Sequence, residues 1–225
     1  MSSATSNTQA ILKEQYDDLP QQREAATFGM WVFLGTEVLL FGGMFLGYTA
    51  YRWFYPEAWQ HASHHTYYWF GTVNTAVLLT SSLTMALAVS AAQDRPANGS
   101  RHGLLRWLLI TALLGIAFLG IKLVEYSRDI ADRSVPGHGF DVHAYPPADA
   151  GPAQLFWSFY WVMTGVHAVH LTVAIGLVLS MVVLTLRNRI WSENDTPVRL
   201  TALFWHLVDV IWIFLYPMLY LVGKR

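Results

Sequence analysis

The sequence predicts an all-α fold, a polytopic membrane bundle of five transmembrane helices. Three observations carry that prediction. Of the 225 residues, 54% are hydrophobic and only 13% are charged. Five separate runs reach the roughly 20 mostly apolar residues that a helix needs to cross about 30 Å of hydrocarbon at ~1.5 Å per residue. None of the runs alternates polar and apolar residues as the strands of a membrane barrel must.

Composition excludes several function classes. A formal net charge of −1 gives no basic excess for a nucleic-acid partner, and the apolar content rules out a disordered or collagen-like chain. Cysteine is absent, which removes disulfides, thiolate metal sites and thiol nucleophiles. Tryptophan and tyrosine gather near the ends of the apolar runs, as in the aromatic belts of a membrane interface.

Residues 1–25 read as a polar tail, without the apolar core and small-residue cleavage site of a secretory signal. Residues 26–225 form the membrane domain. Its spans are expected at 26–51, 70–91, 104–126, 154–186 and 200–222, the fourth being long enough to tilt. The linker "QDRPANGSRHG" joins spans two and three. "SVPGHGFDVHAYPPADAGPA" joins spans three and four, and its Pro and Gly content predicts a loop without regular helix. Basic residues set the orientation. Lys13, Arg23, Arg95, Arg101, Arg106, Arg187, Arg189 and Arg199 fall on the side of the tail; Arg52, Arg128, Arg133, Lys224 and Arg225 fall on the other. The excess places the N-terminus in the cytoplasm and the C-terminus outside.

Ionisable groups inside a span are costly, by about 2.5–3.5 kcal/mol for a central charge on insertion scales, so each should find a partner. Glu37 lies near the middle of span one, and His167 and His170 near the middle of span four. His206 and Asp209 lie in span five. These five form a predicted intramembrane polar cluster, with Glu37, His170 and Asp209 at similar depth. Asn74, Lys122 and Glu125 are placed nearer the interface, Lys122 and Glu125 as a local ion pair that snorkels toward water. Each of Lys122/Glu125, His167/His170 and His206/Asp209 is spaced by three and shares a helix face. A metal or haem held by the two histidines would need further ligands, which Glu37 or Asp209 could supply; hydrogen-bonded fastening between helices is the preferred reading, with no metal site. For Glu37, a neutral carboxyl bonded within the bundle stands against a proton-relay role. Gly43 and Gly47, in a small-residue path along span one, and Trp205 and Trp212 in span five are expected to serve helix packing or lipid contact. Pro217 should bend span five locally.

Read together, "GTEVLLFGGMF", "VNTAVLLTSSLTMALA", "LLGIAFLGIKLVEY", "TGVHAVHLTVAIG" and "FWHLVDVIWIFLYPMLYL" resemble, in order, successive helices of subunit III of the haem–copper terminal oxidases. The resemblance is to the short bacterial form with five helices, found in the cytoplasmic membrane. Ala168 departs from the family's second glycine in the two-histidine segment, and Pro217 from its final helix. The resemblance implies a chain that binds neither haem nor copper, packs directly against a haem-bearing subunit I beside a copper- or quinol-associated subunit II, and holds phospholipid. It implies support for proton uptake and for the working stability of an oxygen reductase, with His206 and Asp209 as packing residues. The accessory protein of nitric oxide reductase belongs to the same superfamily and is the alternative. A proton or cation transporter using Glu37, His170 and Asp209, and a membrane metalloenzyme using His167 and His170, are the competing classes.

Overall fold

The computed structural model describes residues 14–96, 100–190 and 194–223. Lys13, Lys224 and Arg225, used above for orientation, lie outside the described residues, as does most of the tail. Six α-helices follow in order: α1 (Leu19–Phe54), α2 (Pro56–His64), α3 (Tyr68–Gln93), α4 (His102–Ala131), α5 (Ala150–Leu186) and α6 (Thr196–Tyr220). Five of them, all but α2, are long and apolar enough to cross a membrane. No strand occurs among the described residues.

Helix ends explain where the predicted boundaries shift. Span one begins at Leu19 rather than residue 26, because Asp18 caps it by accepting from the Gln21 N–H at 2.8 Å and a proline occupies the first turn. The polar first turns of α1 carry no hydropathy signal, so the tail reads longer than it is. Pro56 stops α1 and opens α2, a nine-residue helix that hydropathy alone does not reveal; its Trp59 is wholly buried. The α4 and α5 helices end in matching left-handed caps. Arg133 and Asn188 each have φ of 53°, and the next residue's N–H reaches back to a carbonyl five residues earlier, Ser134 to Asp129 at 2.9 Å and Arg189 to Leu184 at 2.9 Å. Pro197 sits in the first turn of α6. Pro217 lies inside that helix, which continues to Tyr220, so the proline does not end the span.

The loop after α4 holds a single 3-10 turn, Val142–Ala144, and otherwise lacks regular helix. It is pinned by side chains. Phe140 and Tyr145 stack, Trp157 donates to the Tyr145 hydroxyl at 2.8 Å, and Trp161 donates to the Ser134 carbonyl at 3.3 Å. At the other end of the bundle Arg101 donates to the Leu186 carbonyl at 2.7 Å and Arg95 to the Ile190 carbonyl and the Asn188 side chain, so both arginines satisfy acceptors at and just beyond the end of α5.

Helices α3 to α6 form the packed body. An α3–α6 ladder of small polar groups runs antiparallel: Ser81 with Trp205 (3.2 Å), Ser82 with His206 (2.8 Å), Thr75 with Trp212 (3.1 Å) and Thr72 with Tyr216 (2.6 Å). Thr84 meets Thr111 between α3 and α4 at 2.7 Å, and Tyr126 meets Thr164 between α4 and α5 at 2.7 Å. Such bonds add specificity where lipid removes most of the hydrophobic drive for helix association. The tightest approaches fall at glycines other than those expected. A Cβ at Gly115 would lie 2.8 Å from Trp205 and 3.0 Å from Ile175, and one at Gly71 would lie 2.8 Å from Tyr216. Gly47 faces Phe159 at 3.3 Å, whereas Gly43 has open space beside it.

Helix α1 lies on the edge of this body. Only 11% of its apolar window is buried, against 56% for α6. It is fastened at one end, where the last-turn carbonyls of α6 lack intrahelical donors. Tyr48 of α1 donates to the Met218 carbonyl, and Ser63 of α2 donates to that of Leu219 at 3.2 Å.

Candidate functional site

The intramembrane polar residues separate into several sites instead of one cluster. The first joins α1 to α5. His170 Nε2 lies 2.8 Å from Glu37 Oε2, with both side chains about one-sixth exposed. His170 Nδ1 lies 2.8 Å from the Val166 carbonyl, which can only accept, so Nδ1 carries a hydrogen. One further proton must then lie between Nε2 and Oε2, either on a neutral carboxyl that donates or on an imidazolium that donates to a carboxylate. Either way the pair is neutral overall, which suits a site within long apolar helices.

The second joins α3 to α6. His206 Nδ1 bonds Ser82 at 2.8 Å, and Asp209 Oδ2 approaches the same nitrogen only to 4.0 Å. Neither Asp209 oxygen has a hydrogen-bond partner, and the side chain is nearly sealed. Asp209 is not brought to Glu37 or His170, because one residue of α6 must serve the α3 face while the histidine of α5 turns toward α1. His167, three residues before His170, points the other way. It is fully buried between the rings of Phe118 (5.6 Å) and Trp212 (5.1 Å), and neither nitrogen has a polar partner. Asn74 is likewise buried with its amide unpartnered. Trp205 and Trp212 are both buried, so they pack between helices and do not face lipid.

The third site overturns the expectation that Lys122 and Glu125 snorkel toward water. The pair forms, with Nζ 3.0 Å from Oε2, but it is sealed: Lys122 is 2% exposed and Glu125 is fully buried. The α4 helix runs five residues past the expected end at 126, because "SRDIA" is too polar to register as span. The lysine lies more than two turns before the helix end and is sealed from water by its neighbours. Tyr160 of α5 and Tyr220 of α6 close over it, their hydroxyls 3.0 Å and 2.6 Å from Nζ. Both hydroxyls also contact Glu125 Oε1, at 2.8 Å and 2.7 Å, and Tyr160 contacts Asp129 Oδ2 at 2.8 Å. The lysine lies 4.6 Å from the Tyr160 ring centre and 4.9 Å from that of Tyr126, within cation–π range.

Sequence reasoning missed Asp129, Tyr160, Tyr220 and the serine and threonine ladder of α3. Asp129 had a signal: Lys122, Glu125 and Asp129 follow the 0, 3, 7 spacing of one helix face. The tyrosines had none, since which residues of α5 and α6 cover α4 depends on how three helices cross. Among the described residues no group of three or more His, Asp or Glu is arranged to hold a metal ion. His167 and His170 face different neighbours and share no partner.

These features define a class: a bundle of membrane-spanning helices in which Glu37, His170, His206, Lys122, Glu125 and Asp129 are engaged in contacts between helices. The sequence matches the family of cytochrome c oxidase subunit III over residues 17–224, and the chain belongs to that family. It is similar to the cytochrome c oxidase subunit 3 of Thermostichus vulcanus, 29% identical with 92% of each chain covered. It is also similar to the quinol oxidase subunit 3 of Bacillus subtilis, 26% identical over 87% of this chain and 86% of that one. A third relative is the cytochrome bo(3) ubiquinol oxidase subunit 3 of Pseudomonas aeruginosa, 28% identical over 87% of this chain and 84% of that one.

Proposed function

We propose that this chain is a non-redox accessory subunit of a respiratory haem–copper oxygen reductase, stabilising subunit I and supporting proton uptake while oxygen is reduced to water. Family membership across nearly the whole chain carries the reading. The polar groups agree with it. The Lys122 and Glu37 sites consist of intrachain contacts, and the two histidines of α5 do not converge. Relatives named for cytochrome c oxidases and for quinol oxidases match over similar lengths, so the role is one that does not depend on the electron donor.

In this proposal the chain binds no haem or copper; those groups belong to subunits I and II, and phospholipid covers the exposed apolar faces. The N-terminus is cytoplasmic and the C-terminus outside, in the cytoplasmic membrane of a bacterium. The α1 helix, least engaged with the rest of the chain, contributes Glu37 to the pair with His170. Replacement of Glu37 by Ala is then expected to shorten the working life of the oxidase, or its assembly, more than it lowers initial turnover. Time courses of oxygen consumption on purified enzyme check this; immediate loss of turnover with assembly intact would instead assign Glu37 an essential proton step.

A further inference from the structure

The network around Lys122 contains one contact too many for its ordinary protonation state. Lys122 directs its three N–H groups to Glu125 Oε2 (3.0 Å), Tyr160 (3.0 Å) and Tyr220 (2.6 Å). Tyr220 donates its own proton to Glu125 Oε1 at 2.7 Å. Tyr160 has a single hydroxyl proton, yet its oxygen lies 2.8 Å from Glu125 Oε1 and 2.8 Å from Asp129 Oδ2. Ionised carboxylates accept and cannot donate, so two of them would leave one of these contacts with no hydrogen in it.

An independent observation points the same way. Asp129 is 1% exposed, and among the described residues no basic group stands within ion-pair distance of it. The charge of Lys122 is already matched by Glu125. A second carboxylate in this sealed space would be an uncompensated buried charge, which is strongly disfavoured.

We propose that Asp129 is a proton-binding site: its O–H donates to Tyr160, Tyr160 donates to Glu125, and Lys122 and Glu125 remain an ion pair. Every contact then holds one hydrogen, and the network is neutral. The groups around Asp129 fit this assignment. Glu125 and Lys122 approach from its own helix, Tyr160 from α5, and Tyr220 stands behind Glu125 on α6. Asp132 is turned away to accept from the Tyr67 hydroxyl at 2.8 Å, and the Arg128 guanidinium lies over the rings of Tyr67 and Phe70, at 5.6 Å and 5.0 Å. Asp129 sits in the last turn of α4. The chain beyond it bounds a cavity of about 70 Å³ lined by His65, Asp132, Arg133 and Asp141, and by Ser134, whose N–H bonds the Asp129 carbonyl at 2.9 Å.

The test uses the tagged chain purified with the subunits that accompany it, and holds whether or not the accessory role does. Infrared difference spectra between wild type and Asp129→Asn at neutral pH should show one protonated-carboxyl C=O band lost. The Asn amide keeps a donor toward Tyr160, so assembly should persist and thermal release of the chain should move by less than about 2 °C, the low end of what ~1 kcal/mol shifts a chain of this size. Loss of carboxylate bands with no acid band would overturn the proposal. Failure of the Asn variant to assemble would overturn it equally, because a neutral amide substitutes for a neutral acid and not for a required anion.

Discussion

The Glu37–His170 pair and the Lys122 network arise from the same kind of signal, ionisable residues in an apolar run, yet they occupy opposite environments. Glu37 and His170 are each about one-sixth exposed and link the edge helix α1 to α5 through one polar contact. Lys122 and Glu125 are sealed where α4, α5 and α6 meet, and every donor of the lysine is used. The difference teaches that depth along a span does not decide the role of a polar residue. The number of helices that close over it does.

The largest expected effect tests the sealed side. Lys122→Met removes the cation and leaves Glu125 buried without its partner, a change that typically costs about 3–5 kcal/mol. Thermal release of the chain from the purified complex should fall steeply, and a variant as stable as wild type would show that the network is not a fastening. Next comes packing in the same body. Gly115→Val forces a side chain against Trp205 and Ile175 and should cost about 1–3 kcal/mol, while Gly43→Val, beside open space, should leave the chain itself unaffected. Equal losses at the two glycines, read as melting temperatures in detergent, would erase the contrast between edge and body. The smallest effect belongs to the edge. Glu37→Gln retains a donor for His170 Nε2 and should shift stability little, whereas Glu37→Ala should cost about 1 kcal/mol, the usual net worth of one hydrogen bond. A larger loss for Gln than for Ala would assign the pair to imidazolium and carboxylate.

The five spans are legible because hydrocarbon demands long apolar helices, and composition reports that demand directly. The short α2 is not legible: its nine residues have no run long enough to register, and its Trp59 is buried against Tyr48 of α1 and Phe156 of α5 while Ser63 bonds the end of α6. Residue spacing revealed the face shared by Lys122 and Glu125, but the seal over them comes from Tyr160 and Tyr220, 35 or more residues away in sequence. Similar counted depth suggested that Glu37, His170 and Asp209 meet. Helix rotation separates them, since Asp209 faces the α3 side near His206 and Ser82 while His170 faces α1. Gly43-x-x-x-Gly47 is a spacing that permits close approach; Gly115 and Gly71 are where large neighbours use it.

Purification of the tagged chain in gentle detergent, with an absorption spectrum of the eluate before and after the subunits are dissociated, tests the central claim most directly. Haem bands with a large membrane partner are expected before dissociation, and a colourless, metal-free chain afterwards. A chain that keeps its own chromophore or metal, or that moves ions when reconstituted alone, would contradict it.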